Sequence, residues 1–98
     1  MQVAKTILEQ LGGNKFIAMT GASSFASGKD SLSFRIPRTR KIKAVVIRLE
    51  PNDTYSMRFV GQKNRPSFEV FDVAVVPEVY CDQLQEVFTK YTGLYTSL

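Results

Sequence analysis

The sequence predicts an α+β fold: a single antiparallel sheet of four to five strands, flanked by an N-terminal and a C-terminal helix. Two observations lead to this prediction. Apolar residues recur at helical spacing near both ends of the chain, and between them several short segments alternate apolar with polar residues. The short connections between those segments favour antiparallel neighbours. A chain of 98 residues with 44% hydrophobic content suits one domain over residues 1–98.

The first third of the chain predicts a helix, a strand and a loop. Residues 3–11 place apolar side chains at i, i+4, i+5 and i+8, and the following Gly12 and Gly13 supply a left-handed cap. Residues 15–20 (KFIAMT) are nearly all apolar and predict a first strand buried on both faces. Residues 21–30 are rich in glycine and serine and predict a loop.

The middle of the chain predicts four further strands, at residues 31–36, 43–49, 54–60 and 67–76. Alternation in these segments places every second residue on one face of the sheet. Pro37 ends the first of them, because proline cannot donate to the ladder of backbone hydrogen bonds. The residues expected on the face covered by helices are Leu32, Phe34, Val45, Ile47, Tyr55, Met57 and Phe59.

The C-terminal helix is predicted to run from about residue 77 to about residue 92. Pro77 suits the first turn of a helix, and Gly93 is expected to end it with a positive φ. The apolar stripe of this helix has the spacing i, i+4, i+7, i+8 and i+11. Its members are Tyr80, Leu84, Val87, Phe88 and Tyr91.

Composition excludes several kinds of chemistry. The chain has no histidine and a single cysteine, Cys81, so Ser-His-Asp and Cys-His catalysis, histidine metal sites and internal disulfides are excluded. The glycines at 12 and 13 and the loop at 21–30 match neither the phosphate-loop nor the dinucleotide-binding pattern. We therefore expect no enzyme, no cofactor and no metal site.

Charge is unevenly distributed along the chain. Residues 29–65 hold ten basic and three acidic residues, a net charge of +7, whereas residues 66–98 have a net charge of −4. This polarity suggests an anionic partner for the middle of the chain, or pairing of the two parts within the fold. The candidate residues for binding a partner or nucleic acid are Arg35, Arg38, Arg40, Lys41, Lys43, Arg48, Arg58, Lys63 and Arg65.

These basic residues fall into two groups. Alternation places Arg35, Arg48 and Arg58 on the outward face of the sheet, together with serines, and the others lie in connections. Arginine and serine on an open sheet face can contact phosphates and sugars. The aromatic residues of the same strands fall on the covered face, however, so the base-stacking platform of single-strand binders is missing. An ordinary solvated sheet face explains the same pattern.

The chain also carries no signal for a membrane. No apolar run approaches the ~20 residues that span a bilayer. The first residues lack the basic start and apolar stretch of a secretion signal. We expect a cytoplasmic protein.

Three segments of the chain have a distinctive sequence: ILEQLGGNKFIAMTGASSF at residues 7–25, SLSFRIPR at 31–38 and DQLQEVFTKYTGLYTSL at 82–98. They resemble a group of small uncharacterised proteins encoded by bacteriophages and other bacterial mobile elements. LGGNKFIAMTGA and TGLYTSL are the most specific parts. The resemblance implies a bacterial host cytoplasm and an accessory role, and it assigns no function to any residue.

The first functional hypothesis is a non-enzymatic accessory protein that binds a host protein or nucleoprotein complex, as an inhibitor of a defence system of the anti-CRISPR or anti-restriction type. The alternative is a basic nucleic-acid-binding factor for replication or transcription. A pI near 9.4 argues against DNA mimicry, because proteins that imitate the duplex are strongly acidic.

Overall fold

The structure is a computed structural model that describes residues 2–36, 42–62 and 70–94. Its elements follow the order α-α-β-β-β-β-β-α, with one 3₁₀ turn (Cys81–Gln83) before the last helix. They are α1 (Gln2–Leu11), α2 (Gly13–Thr20), β1 (Ser23–Ser27), β2 (Ser31–Arg35), β3 (Ala44–Leu49), β4 (Tyr55–Gln62), β5 (Val70–Val79) and α3 (Leu84–Thr92).

The five strands of the described residues form an antiparallel meander in the order β1-β2-β3-β4-β5. The predicted α+β class, with helices at both ends and one antiparallel sheet, is confirmed. Because sequential strands are neighbours, their registers set which side chains share a row. Phe34, Val45, Phe59 and Ala74 lie opposite one another across β2 to β5, on the face that the helices cover.

The covered face holds the core. All seven residues predicted for this face are buried, so the alternation assigned to β2, β3 and β4 is confirmed. Helices α2 and α3 add an aromatic cluster, in which the Phe16 ring lies 5.4 Å from the Phe34 ring and 5.2 Å from the Phe88 ring, both edge to face. Such pairs stabilise the fold beyond the area that they bury.

The prediction of a strand at residues 15–20 was wrong, because this segment is helix α2. Phe16 and Thr20, four residues apart, are the buried positions, and the Thr20 hydroxyl donates to the Phe16 carbonyl at 2.8 Å. A short apolar run cannot distinguish a buried strand from a buried helix by its periodicity alone. Gly12, with φ of 126°, interrupts the helical backbone conformation after α1, and α2 begins at the next residue, Gly13.

The prediction of a loop at residues 21–30 was also wrong in part. Ser23–Ser27 forms β1, which pairs with β2 at one edge of the sheet, and all five of its residues are exposed. An edge strand that buries neither face need not alternate apolar with polar residues. The glycine and serine content of this segment was therefore its one clear pattern, and it predicted a loop. This segment, and not residues 15–20, supplies the fifth strand.

The boundary between the last strand and the last helix differs from the prediction. β5 continues through Pro77 to Val79, and α3 begins at Leu84, whereas residues 67–69 lie outside the described residues. Proline is tolerated in β5 because this is an edge strand. Leu84 and Phe88 are buried as predicted.

The remaining members of the predicted helical stripe are less buried. Val87 is half-buried, and Tyr80 and Tyr91 are exposed. Tyr80 precedes the helix, and its backbone N–H donates to the Gln83 side chain at 3.1 Å. The helix therefore presents a narrower apolar stripe than the sequence predicted.

The predicted C-terminal cap leads to a first testable expectation. Gly93 has φ of 76°, and its N–H donates to the Thr89 carbonyl at 2.8 Å. A Cβ at this position would meet no heavy atom within 4 Å, so Gly93→Val should destabilise through backbone strain alone, by at least about 1 kcal/mol. Thermal unfolding measures this loss. Gly93→Asn should cost less, because asparagine tolerates positive φ, and equal costs would contradict the cap.

Candidate functional site

The sheet has a second face, opposite the helices, which we call the open face. All three helices contribute to the core on the other side of the sheet, and the outward side chains from Ser31 to Arg35, Ala44 to Arg48 and Ser56 to Val60 are all partly or fully exposed. The open face comprises Ser31, Ser33, Arg35, Ala44, Val46, Arg48, Ser56, Arg58, Val60, Asp72 and Val75.

Three of the predicted binding residues lie on the open face. Register places Arg48 opposite Ser31 and Ser56, and Arg35 opposite Ala44. Both arginine side chains are exposed. Within the described ranges, neither Arg35 nor Arg48 has an ion-pair partner.

The other predicted residues are not brought together by the described structure. Lys43 is half-buried just before β3, where its N–H donates to the Val60 carbonyl at 2.7 Å and its carbonyl accepts from Ile36 at 3.0 Å. Its backbone therefore extends the ladder at this end of the sheet. Arg38, Arg40, Lys41, Lys63 and Arg65 lie outside the described residues.

Two carboxylates on and beside the open face were missed by the sequence reasoning. Asp72 Oδ1 lies 3.5 Å from Arg58 Nε, and Glu50 Oε2 accepts a hydrogen bond from the Ser56 hydroxyl at 2.8 Å. The Arg58–Asp72 pair joins the basic middle of the chain to its acidic C-terminal third. Pairing of these two parts within the fold was one of the two alternatives that the charge distribution suggested. Both side chains are about half exposed, 56% and 50%, so the pair contributes about 1 kcal/mol at most.

A shallow cavity lies on the open face. Its volume is about 200 Å³, below the ~300–1,000 Å³ of typical small-molecule sites. Apolar valines and charged side chains both line it, so it suits one side chain of a partner better than a cofactor. The lining residues are Val46, Arg48, Glu50, Ser56, Arg58 and Val75.

Comparison with protein-family models, with curated proteins and with solved structures gives no match.

No group of three or more His, Cys, Asp or Glu side chains in the described residues has an arrangement that could hold a metal ion. Burial raises the pKa of Tyr55, which lies on the covered face, so its hydroxyl stays protonated at neutral pH. In the same part of the chain, no helix is long and apolar enough to cross a membrane.

Proposed function

We propose that this chain is a non-enzymatic accessory protein of a bacteriophage or other mobile element that binds a macromolecular partner through the open face, as an inhibitor of a bacterial defence system of the anti-CRISPR or anti-restriction type. The observation that supports it most is the asymmetry of the sheet. Helices pack on one face, and the other presents Arg35, Arg48 and Arg58 among serines and valines. The mobile-element setting, and with it the bacterial cytoplasm, depends on the sequence resemblance.

The composition of the open face favours a protein as the partner. Asp72 and Glu50 accompany the three arginines, so the face is mixed in charge and not uniformly basic. Val46, Val60 and Val75 add apolar area between the charges. Arginine beside apolar area is typical of protein interfaces, whereas a duplex-binding face needs a denser array of cations.

A capture experiment tests this proposal. The tagged chain is incubated with lysate of a bacterium that carries a CRISPR or restriction system, with and without nuclease treatment. We expect a protein partner that remains bound after nuclease treatment. Loss of every partner on nuclease treatment would contradict protein binding and would support nucleic-acid binding instead.

A plating experiment tests the inhibitory role separately. Expression of the chain in the same bacterium should raise the plating efficiency of a phage that the defence system restricts. An isogenic strain without the defence system is the control, because there the chain should have no effect. Unchanged plating in the first strain would contradict inhibition of that system.

Nucleic-acid binding is the second candidate, and the observation that favours it is the net charge of +7 over residues 29–65. Replacing Arg38, Arg40, Lys41 and Lys43 with serine should abolish binding of a labelled duplex and leave the thermal midpoint nearly unchanged. Each lost phosphate contact should flatten the log–log salt slope by about 0.9. Fluorescence anisotropy measures both quantities. Electrostatic binding is strongest at low salt, because few ions screen the charges. If the wild-type chain binds neither DNA nor RNA at ~50 mM salt, electrostatic binding of nucleic acid is excluded.

A further inference from the structure

A second cavity lies at one end of the open face, between the turn that joins β3 to β4 and the edge strand β5. Its volume is about 360 Å³, within the ~300–1,000 Å³ of typical ligand sites. Pro77 and Glu78 of β5 lie opposite a single residue of β4, Ser56, so the strand forms a β-bulge beside the cavity. The lining residues are Glu50, Pro51, Asn52, Thr54, Ser56, Pro77 and Glu78.

This cavity combines apolar walls with carboxylates. The rings of Pro51 and Pro77 supply apolar surface, and Glu50 and Glu78 supply negative charge, whereas no lysine or arginine is among the residues that line it. The Ser56 hydroxyl donates to Glu50 Oε2 at 2.8 Å, which orients this carboxylate. An ionised carboxylate accepts several hydrogen bonds, so Glu50 keeps capacity for a further donor.

The surroundings of the cavity are also acidic. Residues 29–65 contain three acidic residues, and all three, Asp30, Glu50 and Asp53, line the adjoining cavity. Arg48 lines that cavity too, but the carboxylates outnumber it. The net charge of +7 along this part of the sequence therefore does not extend to this end of the sheet, where a cation is attracted.

We propose that the cavity between the β3–β4 turn and β5 receives one arginine side chain of the protein partner. The methylene stem of an arginine can pack on Pro51 and Pro77, while its guanidinium group donates to the carboxylates of Glu50 and Glu78. The planar guanidinium matches carboxylates better than the point charge of lysine does. This inference rests on the proposed function, because it names a side chain that the partner presents to the open face.

A titration with N-acetylarginine methylamide tests the cavity without the partner. The isotopically labelled wild-type chain should show amide chemical-shift changes that are largest at Thr54, Ser56 and Glu78, which line the cavity. The matching citrulline derivative has nearly the same shape but no charge, so it should cause much smaller changes.

A double variant tests the two carboxylates. Glu50→Gln with Glu78→Gln keeps the size of both side chains and an oxygen that can accept from Ser56, so the fold should be retained. It should raise the dissociation constant of the arginine derivative at least about tenfold, because hydrogen bonds to charged groups are the strong ones. Glu9→Gln with Glu86→Gln is the matched control, since both residues are exposed on helices and lose the same charge.

The outcomes separate this inference from the proposed function. No shift changes at Thr54, Ser56 and Glu78 at tens of millimolar arginine derivative, or equal changes with the citrulline derivative, would overturn the inference and leave the open-face proposal intact. In the lysate capture, the Glu50 and Glu78 double variant should retain less partner than the helix control, and equal retention would also overturn the inference. A chain that binds the arginine derivative but captures no protein would contradict the proposed function instead.

Discussion

Replacing Phe59 with alanine should lower the free energy of unfolding by about 3–5 kcal/mol. The ring is fully buried on the covered face, and its centroid lies 5.1 Å from that of Tyr91 on α3, in a stacked arrangement. Val45 and Ala74 flank it in the same row of the sheet. Truncation removes the ring contact between β4 and Tyr91 of α3 and leaves a cavity, so the transfer and cavity costs add.

Phe25→Ala is the matched control for this change. Phe25 lies on β1 and is 38% exposed, and its ring is tilted by 38° against that of Phe34, with 5.6 Å between centroids. The same truncation there should cost about 1 kcal/mol or less, since much of the ring already contacts solvent. Urea unfolding followed by circular dichroism compares the two. A loss at Phe59 no larger than that at Phe25 would contradict the assignment of the core.

Replacing Arg35, Arg48 and Arg58 together with serine should reduce capture of the partner at least about tenfold. Arginine is enriched among the residues that dominate binding energy at protein interfaces, where single truncations can cost about 2 kcal/mol or more. Stability should change by less than about 1 kcal/mol, because all three side chains are exposed and their one ion pair lies at the surface.

A matched triple variant separates the effect of the face from that of net charge. Lys5, Lys15 and Lys90 are exposed cations, one on each helix, and their replacement with serine removes the same charge. The amount of captured partner that remains after washing compares binding by the two variants. The helix variant should retain the partner. Equal losses in the two variants would show that total charge, and not the open face, determines binding.

The sequence predicted β2, β3 and β4 well for a physical reason. Each of these strands buries one face against the helices, so burial imposes a period of two on its residues. The same parity predicted that Arg35, Arg48 and Arg58 point away from the core. Phe34, Val45 and Phe59 on the opposite side are buried as the pattern requires.

The parts that could not be predicted lack such a pattern. β1 buries no residue, and α2 is too short to show a helical period. Pro77 favours the start of a helix in isolation, but its place in an edge strand depends on the order of the whole sheet. The pairing of Arg58 with Asp72 depends on a shifted register between β4 and β5, which no local signal reveals.

Site-specific photocrosslinking in bacterial cells tests the central claim, that the open face is the binding surface, most directly. A benzophenone side chain at Ser33 lies on the open face, at the centre of β2, and one at the exposed Lys15 lies on α2, in the helical layer. We predict a crosslinked protein partner from Ser33 and none from Lys15. Crosslinking from Lys15 alone would contradict the account and place the interface on the helices.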